Sequence, residues 1–194
     1  MKKPVKILIA FSFIIIVILM FFVSKVVFDP KSNSEEATDT TGVSKESSYL
    51  KDTEKIYRVK EYNAKKKQDL IFDLSFIGTS KGYDTWYGAD TYLEKENQYG
   101  LFYGQDKILA YPVEEGKKWS IEPFDFTIES VNETVKTSAG TFENAVKVKT
   151  TEKDSEEYSL TYYAKGVGQV LKESVDSSNK KTIRYEMLEI KEEK

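Results

Sequence analysis

From residue 49 onward apolar side chains recur at every second position, and turn residues interrupt them roughly every 8–15 positions. That periodicity confines this part of the chain to antiparallel β structure. Leu70, Phe72, Leu74 and Phe76 share one strand face, with Asp73 and Ser75 opposite. Phe142, Val146 and Val148 repeat the pattern against Glu143, Lys147 and Lys149, as do Tyr158, Leu160 and Tyr162, then Ile183, Tyr185 and Met187. Further runs at 56–62, 91–95, 99–104, 107–110, 124–132 and 169–175 bring the expectation to about ten short strands. The fold class is mainly β: a sandwich, a barrel or a strongly curved antiparallel sheet. A short helix over 49–55 is compatible with the pattern.

The remainder of the chain is unlike this. Of the 77 hydrophobic residues, 21 lie in 1–28, two in 29–48 and 54 in 49–194. Residues 7–23 carry Ser12 as their only polar side chain, and as a helix they would span roughly 25 Å, near the thin end of a bilayer core. Lys2, Lys3 and Lys6 precede the run and only Lys25 follows it, so the amino terminus is expected in the cytoplasm and the rest outside. Bulky Val26, Val27 and Phe28 after Ser24 argue for a retained single-pass signal anchor over a cleaved leader. Residues 29–48, rich in Ser, Thr, Asp and Glu, read as a disordered linker with a reach of roughly 25 Å. The expected organisation is an anchor at 1–28, a linker at 29–48 and an extracytoplasmic β domain at 49–194.

Composition narrows the chemistry. No Cys removes disulfides, thiolate catalysis, sulfur-bound zinc and lipid attachment; no His removes the commonest general base and metal ligand. A cysteine-free exported domain with a Lys- and Ile-rich anchor fits a Gram-positive bacterial envelope. The first 28 residues hold four Lys and no acid, so of the formal −3 the remaining chain carries −7. That acidity argues against nucleic acid. No metal site and no cofactor are expected. Asp84, Asp90, Glu94, Glu114 and Glu115 offer no carboxylate pair that spacing singles out for glycoside hydrolysis, so an enzyme is not expected. The acidic stretch 153–157 reads as a solvated hairpin tip.

Three segments carry a family resemblance. Tyr111-Pro112-Val113-Glu114-Glu115-Gly116-Lys117-Lys118-Trp119 resembles the P-L-x-x-G-x-x-W segment of certain β-rich bacterial envelope proteins and lipoproteins of unknown function. There, as here, it is followed by a segment like Ser130-Val131-Asn132-Glu133-Thr134-Val135 and then Ala139-Gly140-Thr141-Phe142-Glu143-Asn144. A segment like Tyr162-Tyr163-Ala164-Lys165-Gly166-Val167-Gly168-Gln169-Val170 closes the match, which covers roughly 111–189. Ser138 and Lys165 stand where the family usually has Pro. The resemblance implies a curved antiparallel sheet or half-barrel and no established activity.

Read from the residues, these motifs are architectural. Gly140 suits a hairpin, Phe142 a core plug just beyond it, and Gly166 and Gly168 a tight reversal. Trp119 reads as a core anchor. Asn144 shares the parity of Phe142 and Val146, which predicts a buried amide bonded to a neighbouring backbone. The most suggestive cluster is Tyr83, Trp86, Tyr87 and Tyr92, interrupted by Gly82, Asp84, Gly88 and Asp90. It is compatible with a ligand platform, though the favoured reading is a loop folded over the mouth of the sheet. The expected function is a membrane-held, non-catalytic binding or scaffolding domain that meets an envelope protein or wall polymer. The alternative is a half-barrel pocket for a lipid or other apolar ligand at the membrane surface, and third comes glycan binding or hydrolysis.

Overall fold

The computed structural model describes residues 47–192. The anchor at 1–28 and nearly all of the linker lie outside the described residues, and among the described residues no helix is long and apolar enough to cross a membrane. The short helix that the pattern allows over 49–55 is not formed: residues 48–52 run as a strap without regular secondary structure.

Twelve strands form one antiparallel sheet. The first six are β1 (Lys55–Asn63), β2 (Gln68–Ser80), β3 (Tyr83–Tyr87), β4 (Thr91–Asn97), β5 (Gly100–Tyr103) and β6 (Asp106–Ala110). The second six are β7 (Lys118–Ile121), β8 (Phe124–Thr137), β9 (Gly140–Glu152), β10 (Tyr158–Ala164), β11 (Gly168–Val175) and β12 (Lys181–Glu192). Each strand pairs with its sequence neighbour, with one exception. β6 and β7 do not pair, and β12 returns instead to pair with β1. The order is therefore β6-β5-β4-β3-β2-β1-β12-β11-β10-β9-β8-β7.

The two edges are drawn together, so the expected half-barrel is a nearly closed barrel. Trp119 on β7 donates its indole Nε1 to the Lys107 carbonyl on β6 at 2.8 Å and stacks on Phe126 of β8, ring centroids 5.1 Å apart. The connecting segment also bonds both flanks: Tyr111 N donates to Tyr99 O, and Gly116 N to Ile128 O. Closure shields edges that would otherwise expose unpaired backbone groups.

Two apolar clusters fill the domain. One joins Tyr57, Val59, Leu74, Trp86 and Met187 to Leu160, Tyr162 and Val135. The other gathers Tyr49, Leu101, Leu109, Ile128, Val146, Val148 and Tyr163. β10 is buried on both faces, because the β8–β9 hairpin folds back across the sheet. Three register shifts bend that hairpin. Its tip lands on β12, where Ala139 N donates to Met187 O and Ser138 N and Oγ donate to Glu186.

Asn144 corrects the sequence expectation. It is exposed, with φ of 54°, and sits at one of these shifts. Asn tolerates the left-handed region better than most residues. The bulge resets the parity, so that Ala145 and Val146 are buried in succession, one in each cluster. Phe142 packs against the first cluster, while Gly140, Gly166 and Gly168 occupy the expected reversals with positive φ.

Candidate functional site

On β4, Thr91 and Leu93 face solvent, while Tyr92, Glu94 and Glu96 alternate with them into the barrel. Charged residues are almost never fully buried unless paired. Yet Glu94 is 6% exposed, Glu96 3% and Lys51 8%. The strap explains the pairing. Lys51 forms a buried ion pair with Glu94 Oε1, and Tyr49 N donates to Glu96 Oε1 at 2.8 Å. Tyr111 OH donates to the same Glu96 oxygen. Burial, then the Glu96 carboxylate, raises the hydroxyl pKa of Tyr49; burial and the bond to Glu96 do so at Tyr111.

The strap is anchored on the rest of the barrel by short bonds. Gly166 N donates to Ser48 O at 2.9 Å, and Asp52 N meets both Gly166 O and the Tyr57 hydroxyl. Gly168 is required where the strap crosses β11. Its φ is +75°, and a Cβ there would meet Lys51 Nζ at 3.3 Å and Tyr49 O at 3.4 Å. Two buried polar atoms nearby have no protein partner: Glu94 Oε2 and Trp86 Nε1. Leaving such atoms unbonded costs about 1–3 kcal/mol each, more for a charged group.

A second polar row crosses the interior beside this pair. Tyr57, Val59 and Glu61 share a face of β1 with Leu74, Phe72 and Leu70 of β2. In register, Glu61 aligns with Tyr185 of β12, Tyr185 with Lys172 of β11, and Lys172 with Thr161 of β10. Tyr92 OH reaches Glu61 Oε2 at 3.4 Å, and the Tyr92 ring stacks on Phe72 and tilts against Tyr103. Burial drives Glu61 above the usual carboxylate range even with Lys172 opposing it, and drives Lys172 below the usual amine range even with Glu61 opposing it. Tyr103 and Tyr185 are pushed far up, by burial first and then by neighbours that include both Glu94 and Glu61. Glu61, Tyr103, Lys172 and Tyr185 face inward and keep intermediate solvent exposure.

The aromatic cluster singled out in the sequence is divided between faces. Trp86 and Tyr92 are register partners turned inward; Trp86 is 1% exposed and meets Tyr57 and Phe76 edge-on. Tyr83 and Tyr87 have the opposite parity. Tyr87 is 60% exposed, and Tyr83 lies under the Lys95 ammonium at 5.3 Å. Tyr83, Lys95, Asn97, Phe102 and Gln105 line an open groove of about 150 Å³. That is smaller than the roughly 300 Å³ at which small-molecule pockets usually begin.

Of the acids weighed in sequence, Glu94 is the buried one; Asp84, its register partner on β3, is half-buried and accepts from Thr79 Oγ1 at 2.7 Å, and Asp90, Glu114 and Glu115 are exposed. Among the described residues no His, Cys, Asp or Glu side chains gather as a metal site. Lys51, Glu61, Glu96, Tyr103, Lys172 and Tyr185 carry no motif. They come together only through strand register and the strap.

No family model matches the chain, and no curated protein matches it. Two solved structures are similar over most of its length. One, a candidate lipoprotein of Parabacteroides distasonis, is 15% identical with a TM-score of 0.41, covering 74% of this chain and 98% of that one. The other is a candidate exported protein of Bacteroides fragilis with a YmcC-like fold. It is 13% identical with a TM-score of 0.44, covering 73% of this chain and 97% of that one. At that level of likeness, fold and function rest on this chain's own residues.

Proposed function

We propose that the chain is a non-catalytic binding domain of a bacterial envelope, held outside the membrane by its amino-terminal segment, that takes a small ligand into the barrel. The reading is carried by the inward row Glu61, Tyr185 and Lys172, with Tyr103 beside it, which keeps solvent exposure inside a nearly closed barrel. Phe72 and Tyr92 add an apolar wall, so a ligand with an apolar body and a polar head is favoured over a wholly apolar lipid. Full-length protein, exposed to envelope extract and analysed by native mass spectrometry, is expected to retain a discrete added mass. Substituting Lys172→Met is expected to lower the retained fraction. A clean mass for the unmodified protein in every extract refutes the interior site.

A second reading is favoured by a separate observation. Ile71, Ile77, Tyr87 and Leu93 on β2, β3 and β4 are all more than 40% exposed. An exposed apolar face of this kind suits contact with an envelope protein or wall polymer. Cross-linking from position 87 in intact cells tests it: an adduct lost on Leu93→Ser supports surface contact, and no adduct removes it.

A further inference from the structure

Lys51 and Glu94 reach their ion pair from different kinds of structure. Lys51 belongs to the strap, which joins the barrel outside the strand ladders, whereas Glu94 and Trp86 are fixed in paired strands. Its ammonium lies on a carboxylate that is more than nine-tenths buried, and 5.8 Å from the centroid of the Trp86 ring. A carboxylate beside an aromatic face is the chemistry that recognises an ammonium group. The second carboxylate oxygen, Glu94 Oε2, has no protein partner. The strap thus fills part of this site and leaves hydrogen-bonding capacity over.

We propose that Glu94 and Trp86 form an ammonium-binding site that Lys51 occupies in cis, and that an external primary amine on an unbranched carbon stem competes for it by displacing the strap. This deepens the reading of the barrel interior as a binding site by naming the ligand class. Displacement breaks no strand pairing. It exchanges the Lys51 ammonium for another and releases Tyr49 N from Glu96, Ser48 O from Gly166 N, and Asp52 N from Gly166 O and Tyr57. The bare Gly168 backbone beneath the strap is what allows an unbranched stem to lie there.

The test uses the full chain with Lys51→Ala, which removes the amine and three carbons of its stem, and n-propylammonium chloride, which supplies them. The variant is expected to melt below the unsubstituted protein, and n-propylammonium at tens of millimolar to raise its melting temperature by on the order of 5 °C. Equal concentrations of sodium chloride or tetramethylammonium chloride are expected to have no such effect, and K51A/E94Q to lose the response. Should K51A not fold in buffer, recovery of folded protein on refolding with n-propylammonium is the equivalent readout. In the unsubstituted protein the amine is expected to speed hydrogen exchange at the Tyr49 amide several-fold. No amine-specific response in K51A overturns the site, and unchanged exchange at Tyr49 overturns the competition. A protein that retains ligand mass from extract yet ignores the amine isolates the failure to this inference.

Discussion

Glu94 and Lys51 show how much one buried charge depends on its partner. Breaking a buried ion pair leaves an uncompensated charge and costs about 3–5 kcal/mol, whereas replacing both members by apolar groups of similar volume is often neutral or stabilising. Glu94→Gln alone is therefore expected to lower unfolding free energy by about 3 kcal/mol or more in urea titrations. Lys51→Met combined with Glu94→Leu is expected to recover most of that loss. Asn144 makes a different residue-scale point. Its φ of 54° is strained for a β-branched side chain, so Asn144→Val is expected to cost about 1–3 kcal/mol and Asn144→Gly to be close to neutral. Neither environment was legible beforehand. Glu94 and Lys51 look like ordinary surface charges in a sequence, and Asn144 looks buried because strict alternation assumes no bulge.

The long β8–β9 hairpin is braced where its bulges bend it. Lys147 Nζ bonds Glu133 at 2.8 Å and approaches Glu129 at 3.7 Å. The Lys147 bond holds Glu133 below its ordinary pKa, and the Glu133 bond holds Lys147 above its own. The depressed Glu133 contributes stability above its unfolded pKa, and that contribution disappears as pH falls through the folded value. The raised Lys147 contributes below its unfolded pKa and loses it as pH rises through the folded value. The pair is partly exposed and screened, so Lys147→Ala is expected to cost about 0.5–1 kcal/mol at pH 7, with the difference from the parent closing below about pH 4. Thermal melts from pH 3 to 8 check it. Most strands were legible because alternation survives within each of them. β3 and β7 were not. The first carries Asp84 between its aromatics and abuts Gly82 and Gly88, so it resembled a loop; the second has only four residues and stops before Pro123.

Across the described residues, all ladders but one join strands adjacent in sequence. The exception, β1 with β12, brings Lys55 opposite Glu192. Its closure is the step with the largest loop entropy. Which strands would bridge that distance had no local signal, so the barrel and its interior row were beyond sequence reading even where the strands were plain. The remaining gap between β6 and β7 is held by Trp119. Trp119→Phe keeps an aromatic ring to stack on Phe126 and deletes the bond to Lys107. Hydrogen exchange is expected to quicken in residues 106–110 and 118–121 while the melting temperature moves by only a few degrees.

That gap also has a topological meaning. Because β12 lies beside β1, the strand order is an uninterrupted up-and-down meander that the chain happens to enter halfway round, at β1 instead of β7. A circular permutant that links the end of β12 to the strap and opens between Val113 and Gly116 would keep every ladder while making all of them local. The natural chain instead places its first and last strands at the centre of the sheet. Both ends of the barrel domain then emerge beside the strap, at one rim, and the turn at 64–67 lies at the opposite rim.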